Sequence, residues 1–292
     1  MIVALYLSLV ASDGLLLKGA HGHQTLRAEI ASARLHSPRT FTALQSVYDQ
    51  LPKLDANRRG NLPLVTPVLK RLGKDALLPM LDAIAFTAPT RTGLSETAER
   101  GWRLGLIEAT GMLRDPRALP VLQAILTSAD NDVETQWIAA QAIARLGSDA
   151  ALEVLLPLTV GAKHDAVLAG LGVSRRLIAA QTIAKALDGS LTPVQAKALV
   201  RSLSDVGNAW AWELGSAHPS EQAQVRETAA RALVQAFVAY DGEVRASAAA
   251  ALLVVDYGGT PALITQATVL ANAETAAALQ SFALRFASNP TR

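Results

Sequence analysis

Residues 106–155 read LIEATGMLRDPRALPVLQAILTSADNDVETQWIAAQAIARLGSDAALEVL. The stretch follows the same local plan twice. When Leu106 is set against Ala139, small or apolar residues recur at Ile107, Ala109, Thr110 and Leu113, and again at Ala140, Ala142, Ile143 and Leu146. That spacing puts each set on one stripe of a helix. A tight turn follows each set: Arg114-Asp115 in the first copy, Gly147-Ser148-Asp149 in the second. A new apolar helix is then expected from Pro116 or Ala150. The offset between copies is 33 residues, and LIAAQTIAKAL at 177–187 repeats WIAAQAIARL at 137–146 with an offset of 40. Self-similarity at such a period predicts stacked helix pairs, an all-α superhelix or α-solenoid of about seven pairs.

Alanine is the working residue of this plan. Ala139, Ala140, Ala179, Ala180, Ala229, Ala230, Ala248 and Ala249 recur as doublets. On a packing face they let neighbouring helices approach closely where larger side chains would hold them apart. One helix pair cannot bury its apolar face alone, so the pairs are expected to stack.

MLRDPRALPVL at 112–122, and the Val-Arg-x-x-Ala-Ala pattern of 225–230 and 244–249, resemble HEAT-type repeats. They are most similar to the short bacterial HEAT-like repeats also found in phycobilisome lyases. The resemblance covers roughly residues 72–287. It implies two antiparallel helices per repeat, with the second helices lining a concave face. It also implies inter-repeat hydrogen bonds from the recurring turn and helix-start residues Asp115, Asp149, Arg226 and Arg245.

Composition agrees with a helical stack. Half of the 292 residues are hydrophobic while only 4% are aromatic, which favours helices packed through alanine and leucine. The absence of cysteine excludes disulfides and thiolate chemistry. Residues 1–75 carry ten Lys and Arg against five Asp and Glu, whereas 76–292 carry 17 against 20. A slightly acidic body opposes phosphate binding.

Residues 1–23 are read as an N-terminal apolar segment and linker, and residues 24–292 as one solenoid domain. Met1–Ala11 is too short to span a bilayer. It reads either as the hydrophobic region of a secretory signal, which would place the protein in the periplasm, or as a first helix of a cytoplasmic protein. His21 and His23 lie in a glycine-flanked run with no third ligand in view. Helices are predicted near 24–35, 38–51, 61–72, 74–86, 95–113, 131–146, 149–160, 173–187, 219–239, 242–256, 260–271 and 273–287. Asn131 with Glu134, and Thr192 with Gln195, have capping-box spacing. Gly161–Gly172 reads as a glycine-rich break. The plan fails most clearly over Asp205–Ser220, where Trp210 and Trp212 stand two apart and would not share a helix face.

No catalytic constellation is present. There is no Gly-x-Ser-x-Gly elbow, no His-Glu-x-x-His and no phosphate-cradling glycine motif. No cofactor is expected. The function predicted is a non-catalytic scaffold holding a protein or peptide on its concave helical face. Candidate contacts are exposed second-helix positions such as Glu134, Gln136, Arg175 and Arg176, with Trp210 and Trp212 in the irregular segment. Two alternatives come from HEAT-like relatives. One is binding or repair of nucleic acid, with Trp102, Trp137, Trp210 and Trp212 as stacking surfaces, which the acidic body disfavours. The other is a lyase or chaperone for a bilin-bearing protein.

Overall fold

The computed structural model describes residues 23–87, 93–214 and 218–289, and all regular structure there is α-helix or short 3-10 helix. The apolar segment Met1–Ala11, His21 and the chain end after Asn289 lie outside the described residues. So does the middle of the Thr87–Ser95 loop. Among the described residues no helix is long and apolar enough to cross a membrane. The chain divides into two compact units, Met1–Leu146 and Gly147–Arg292.

The first unit contains α1 (Gln24–His36), α2 (Pro38–Asp49), α3 (Leu51–Ala56), α4 (Thr66–Lys70), α5 (Leu77–Ala85), α6 (Glu96–Met112), α7 (Leu119–Thr127) and α8 (Val133–Leu146). Helices α4, α6 and α8 pack side by side in one row, and α5 and α7 form a second. The stripe that the sequence singled out is the core of the first row: Ile107, Ala109, Thr110, Ala140, Ala142 and Ile143 are all buried. Closure between α6 and α8 depends on one missing side chain. A Cβ placed on Gly111 would lie 2.5 Å from the Cα of Ala142, so the two backbones touch there and leave no room for a methyl group. The chain turns after α4 and α6 through left-handed residues, Gly73 (φ 76°) and Arg114 (φ 54°). Glycine takes this conformation without steric cost and arginine does not.

The second unit contains α9 (Asp149–Leu155), α10 (His164–Leu171), α11 (Leu177–Leu187), α12 (Pro193–Gly207), α13 (Ala209–Glu213), α14 (Gln222–Ala239), α15 (Gly242–Val255), α16 (Thr260–Leu270) and α17 (Ala273–Ala287). It also forms two rows, α10–α12–α15 and α11–α14–α16. The alanine doublets at 179–180, 229–230 and 248–249 are buried, as is the 139–140 doublet in the first unit. Gly172 repeats the role of Gly111, for a Cβ there would sit 2.5 Å from the Ser202 carbonyl oxygen.

Several sequence expectations are corrected in detail. The predicted helix over 61–72 shrinks to α4, Thr66–Lys70. Pro63 disfavours helical backbone at the residue before it, and Pro67 fits only the first turn. The glycine-rich break at 161–172 contains helix α10. Gly161, at φ 91°, is the turn. Gly172 instead continues the helical backbone and serves close packing. The helix expected from residue 173 starts at Leu177, because Arg175 adopts a left-handed φ of 53°. The capping box at Thr192 and Gln195 is present in both of its hydrogen bonds. The one at Asn131 and Glu134 is displaced by a residue: Asp132 accepts from the Thr135 N–H at 2.7 Å. Asn131 is buried instead, donating to the Ile125 carbonyl at 2.7 Å and accepting from Arg103.

Candidate interaction groove

Helices α11 and α14 lie next to each other in the second row and begin at the same end. Their facing stripes follow helical spacing: Leu177, Gln181 and Ala184 on α11, and Gln224, Thr228, Arg231 and Gln235 on α14. Between them runs an open groove of about 340 Å³, with Glu227 and Ala232 completing its wall. Ala232 is buried and forms part of the floor, whereas Gln181, Gln224, Arg231 and Gln235 are exposed on the rim. Glu227 and Arg231 pair at 3.0 Å, four residues apart. No hydrogen bond among the described residues occupies the side-chain amides of Gln181, Gln224 or Gln235. Each amide offers two donors and an acceptor carbonyl. The lining is thus charge-balanced and rich in the same groups as a peptide backbone.

The end where both helices begin is clamped. Helix α11 has no capping side chain of its own, since Arg176 stands at its N-cap. Glu221, just ahead of α14, accepts from the Leu177 N–H and pairs with Arg176 at 3.0 Å. Arg176 also pairs with Asp149 at 2.7 Å. The Arg176 hydrogen bond holds the Asp149 carboxyl below the usual aspartate range. Three short-sequence features separated by 27 and 45 residues meet here, and the groove runs away from this clamp.

The predicted contact residues separate into two kinds. Glu134 is exposed, but its carboxylate is held by Arg100, which also reaches Asp132 at 3.0 Å. Gln136 is half-buried and donates to the Asn131 carbonyl at 2.9 Å, which corrects its expected exposure. Arg175 and Arg176 are also half-buried, and they precede α11 rather than ride on it. Trp212 is buried and donates its indole N–H to the Val206 carbonyl at 3.0 Å, so it anchors α13. Trp210 is 67% exposed, and Leu214, one turn later, equally so. The two tryptophans point to opposite sides, as their spacing predicted.

The recurring turn residues have distinct tasks. Asp115 caps the turn before α7, accepting from the Arg117 N–H at 3.0 Å, and the Arg117 guanidinium holds its carboxyl below the usual range. Asp149 is not its counterpart in register, because Ser148 supplies the cap of α9 and frees Asp149 for Arg176. Arg226 donates to the carbonyls of Val255 and Asp256 at the end of α15. Arg245 donates to Phe237 and Tyr240, both at 3.0 Å, and reaches Thr275 on α17. Both arginines satisfy carbonyls that a helix end leaves open, where a cation also complements the helix dipole. Sequence spacing did not disclose the groove residues. Among the described residues no group of three or more His, Cys, Asp or Glu is placed to hold a metal ion.

Residues 88–171 match the family model described as HEAT repeats. No curated protein matches the chain. A solved structure of human deoxyhypusine hydroxylase in complex with glycerol is similar at 18% identity, covering 86% of this chain and 98% of that one, with a TM-score of 0.36. Likeness at that level leaves the activity with that protein. Residues 88–171 thus carry the match to HEAT repeats, and the buried alanine doublets and helix rows give both units an all-α helical-repeat arrangement.

Proposed function

We propose that the protein is a non-catalytic scaffold that seats an extended protein or peptide segment in the groove between α11 and α14. The observation that carries this is the pairing of open volume with uncommitted amides: about 340 Å³ lined by Gln181, Gln224 and Gln235, whose side chains make no hydrogen bond among the described residues. An extended segment presents alternating N–H and C=O groups, and side-chain amides match both. The ion pair Glu227–Arg231 leaves the groove neutral overall, which favours such a segment over a polyanion. Trp210 on α13 and Leu214 just after it form a second exposed contact for the same kind of partner.

The test is affinity capture from native extract with the wild-type chain, repeated with a Gln181→Ala, Gln224→Ala, Gln235→Ala triple variant. The expected result is loss of a specific partner at an unchanged thermal midpoint. Retention of every partner by the triple variant would contradict the placement. The single solenoid domain expected over residues 24–292 belongs to the same proposal. It predicts that neither half of the chain is released as a stable fragment by limited proteolysis.

A further inference from the structure

A second cavity lies in the Met1–Leu146 unit and is independent of the groove. It has a volume of about 130 Å³ and is walled by residues of α1, α2, α5 and α6. Phe41, Leu44 and Tyr48 come from α2, Asp82 from α5 and Trp102 from α6. Tyr48 and Trp102 meet edge to face with ring centroids 5.1 Å apart. Into this aromatic surround the fold places a carboxylate: Asp82 is only 7% exposed. Burying a carboxylate is costly unless a cation accompanies it.

The accompanying cation is Arg34 of α1. Its guanidinium bonds one oxygen of Asp82 and lies 4.7 Å from the centroid of the Phe41 ring. The Arg34 side chain is nevertheless 52% exposed, while that of Asp82 is 11% exposed. A half-exposed arginine retains rotamer freedom to gain by leaving. The second oxygen, Oδ1, carries no hydrogen bond among the described residues. The cavity therefore offers a buried acid with a vacant acceptor, three aromatic rings and unfilled volume. Those are the requirements of a planar cation that binds a carboxylate through two N–H groups and stacks on rings.

We infer that this pocket receives an arginine side chain from a partner peptide, and that Arg34 occupies the carboxylate in the free protein. An incoming guanidinium takes both oxygens of Asp82, and Arg34 swings into solvent. The chain's own arginine already demonstrates two of the contacts the guest would make. Occupation by Arg34 raises the guest's apparent Kd by the inverse of the fraction of time the site stands open.

Titration calorimetry with N-acetyl-arginine amide tests this on the full chain, alongside the citrulline analogue, which keeps the shape and removes the charge. Free arginine, as a third probe, separates a peptide side chain from the amino acid itself. Arg34→Ala is expected to bind N-acetyl-arginine amide about tenfold more tightly than the wild type, because the competing occupant is gone. Neither protein should bind the citrulline analogue, and free arginine should bind more weakly than the blocked form. Asp82→Asn should abolish binding; if that variant does not fold, the contrast between arginine and citrulline on Arg34→Ala decides. Equal affinity for the two blocked probes, equal affinity of wild type and Arg34→Ala, or tighter binding of free arginine would overturn the proposal.

Discussion

Two neighbouring-helix contacts of the same type end differently. In the first unit α6 closes onto α8 until Gly111 rests against the backbone of Ala142. In the second unit α11 and α14 also pack together, but their outer rims leave an open groove of about 340 Å³. The closed contact is made of glycine, alanine and threonine, and its polar groups are few and committed. Glutamines rim the open one, whose clamp at one end fixes the spacing without filling it. Small residues build the scaffold in both units, and the exposed glutamines beside that packing stripe on α11 and α14 rim the place to bind.

The sharpest way to break the comparison is to put a side chain where the closed contact forbids one. Gly111→Ala drives a methyl into the backbone of α8, which has no rotamer to yield. We expect a loss of about 2–3 kcal/mol, read as a lower denaturant midpoint. Gly172→Ala should do the same against Ser202 in the other unit. An effect near zero at both sites would mean that the rows are looser than the backbone contacts require.

Arginine supplies the next contrast. Arg226→Ala uncovers the Val255 and Asp256 carbonyls at the end of α15 and should cost about 1–2 kcal/mol. Arg231→Ala removes only an exposed pair on the groove rim and should change stability by less than about 0.5 kcal/mol. Equal effects would erase the distinction between scaffold and groove.

Much of this scaffold was legible in the sequence, for physical reasons that also mark where legibility ends. Period, small-residue stripes and caps are local, so Thr192 with Gln195 and the buried doublets could be read directly. Glycine was ambiguous, because the same residue makes the turn at Gly161 and the close contact at Gly172. The cap at α8 slipped from Asn131 to Asp132 because both side chains can cap, and only the buried Ile125 carbonyl decides which is needed elsewhere. The groove was not legible. It depends on α11 and α14 facing each other across more than forty residues, and on Glu221 clamping a helix it does not belong to. The pairing of Arg34 with Asp82, 48 residues apart, was hidden for the same reason.

Acid titration gives a smaller effect with a defined sign. Asp115 has its carboxyl held below the usual range by Arg117, so it contributes stability above its unfolded pKa of about 3.9. That contribution is lost as pH falls through the lower folded value. Asp115→Asn keeps the cap acceptor and removes the charge. The stability gap between wild type and variant should therefore narrow as pH drops below about 4 and vanish further down. A gap that stays constant through that range would assign Asp115 a role independent of its charge.

The smallest stability effects are expected in the groove itself. Gln224→Ala and Gln235→Ala should each leave stability within about 0.5 kcal/mol of wild type, because those side chains make no hydrogen bond among the described residues.

The most direct measurement places a photo-crosslinking residue at Gln224 in the groove and, separately, at Val194, an exposed position on α12 in the other row of the same unit. The account predicts a discrete partner adduct from position 224 and none from position 194. Adducts from 194 alone, or the same adducts from both positions, would contradict a binding seat between α11 and α14.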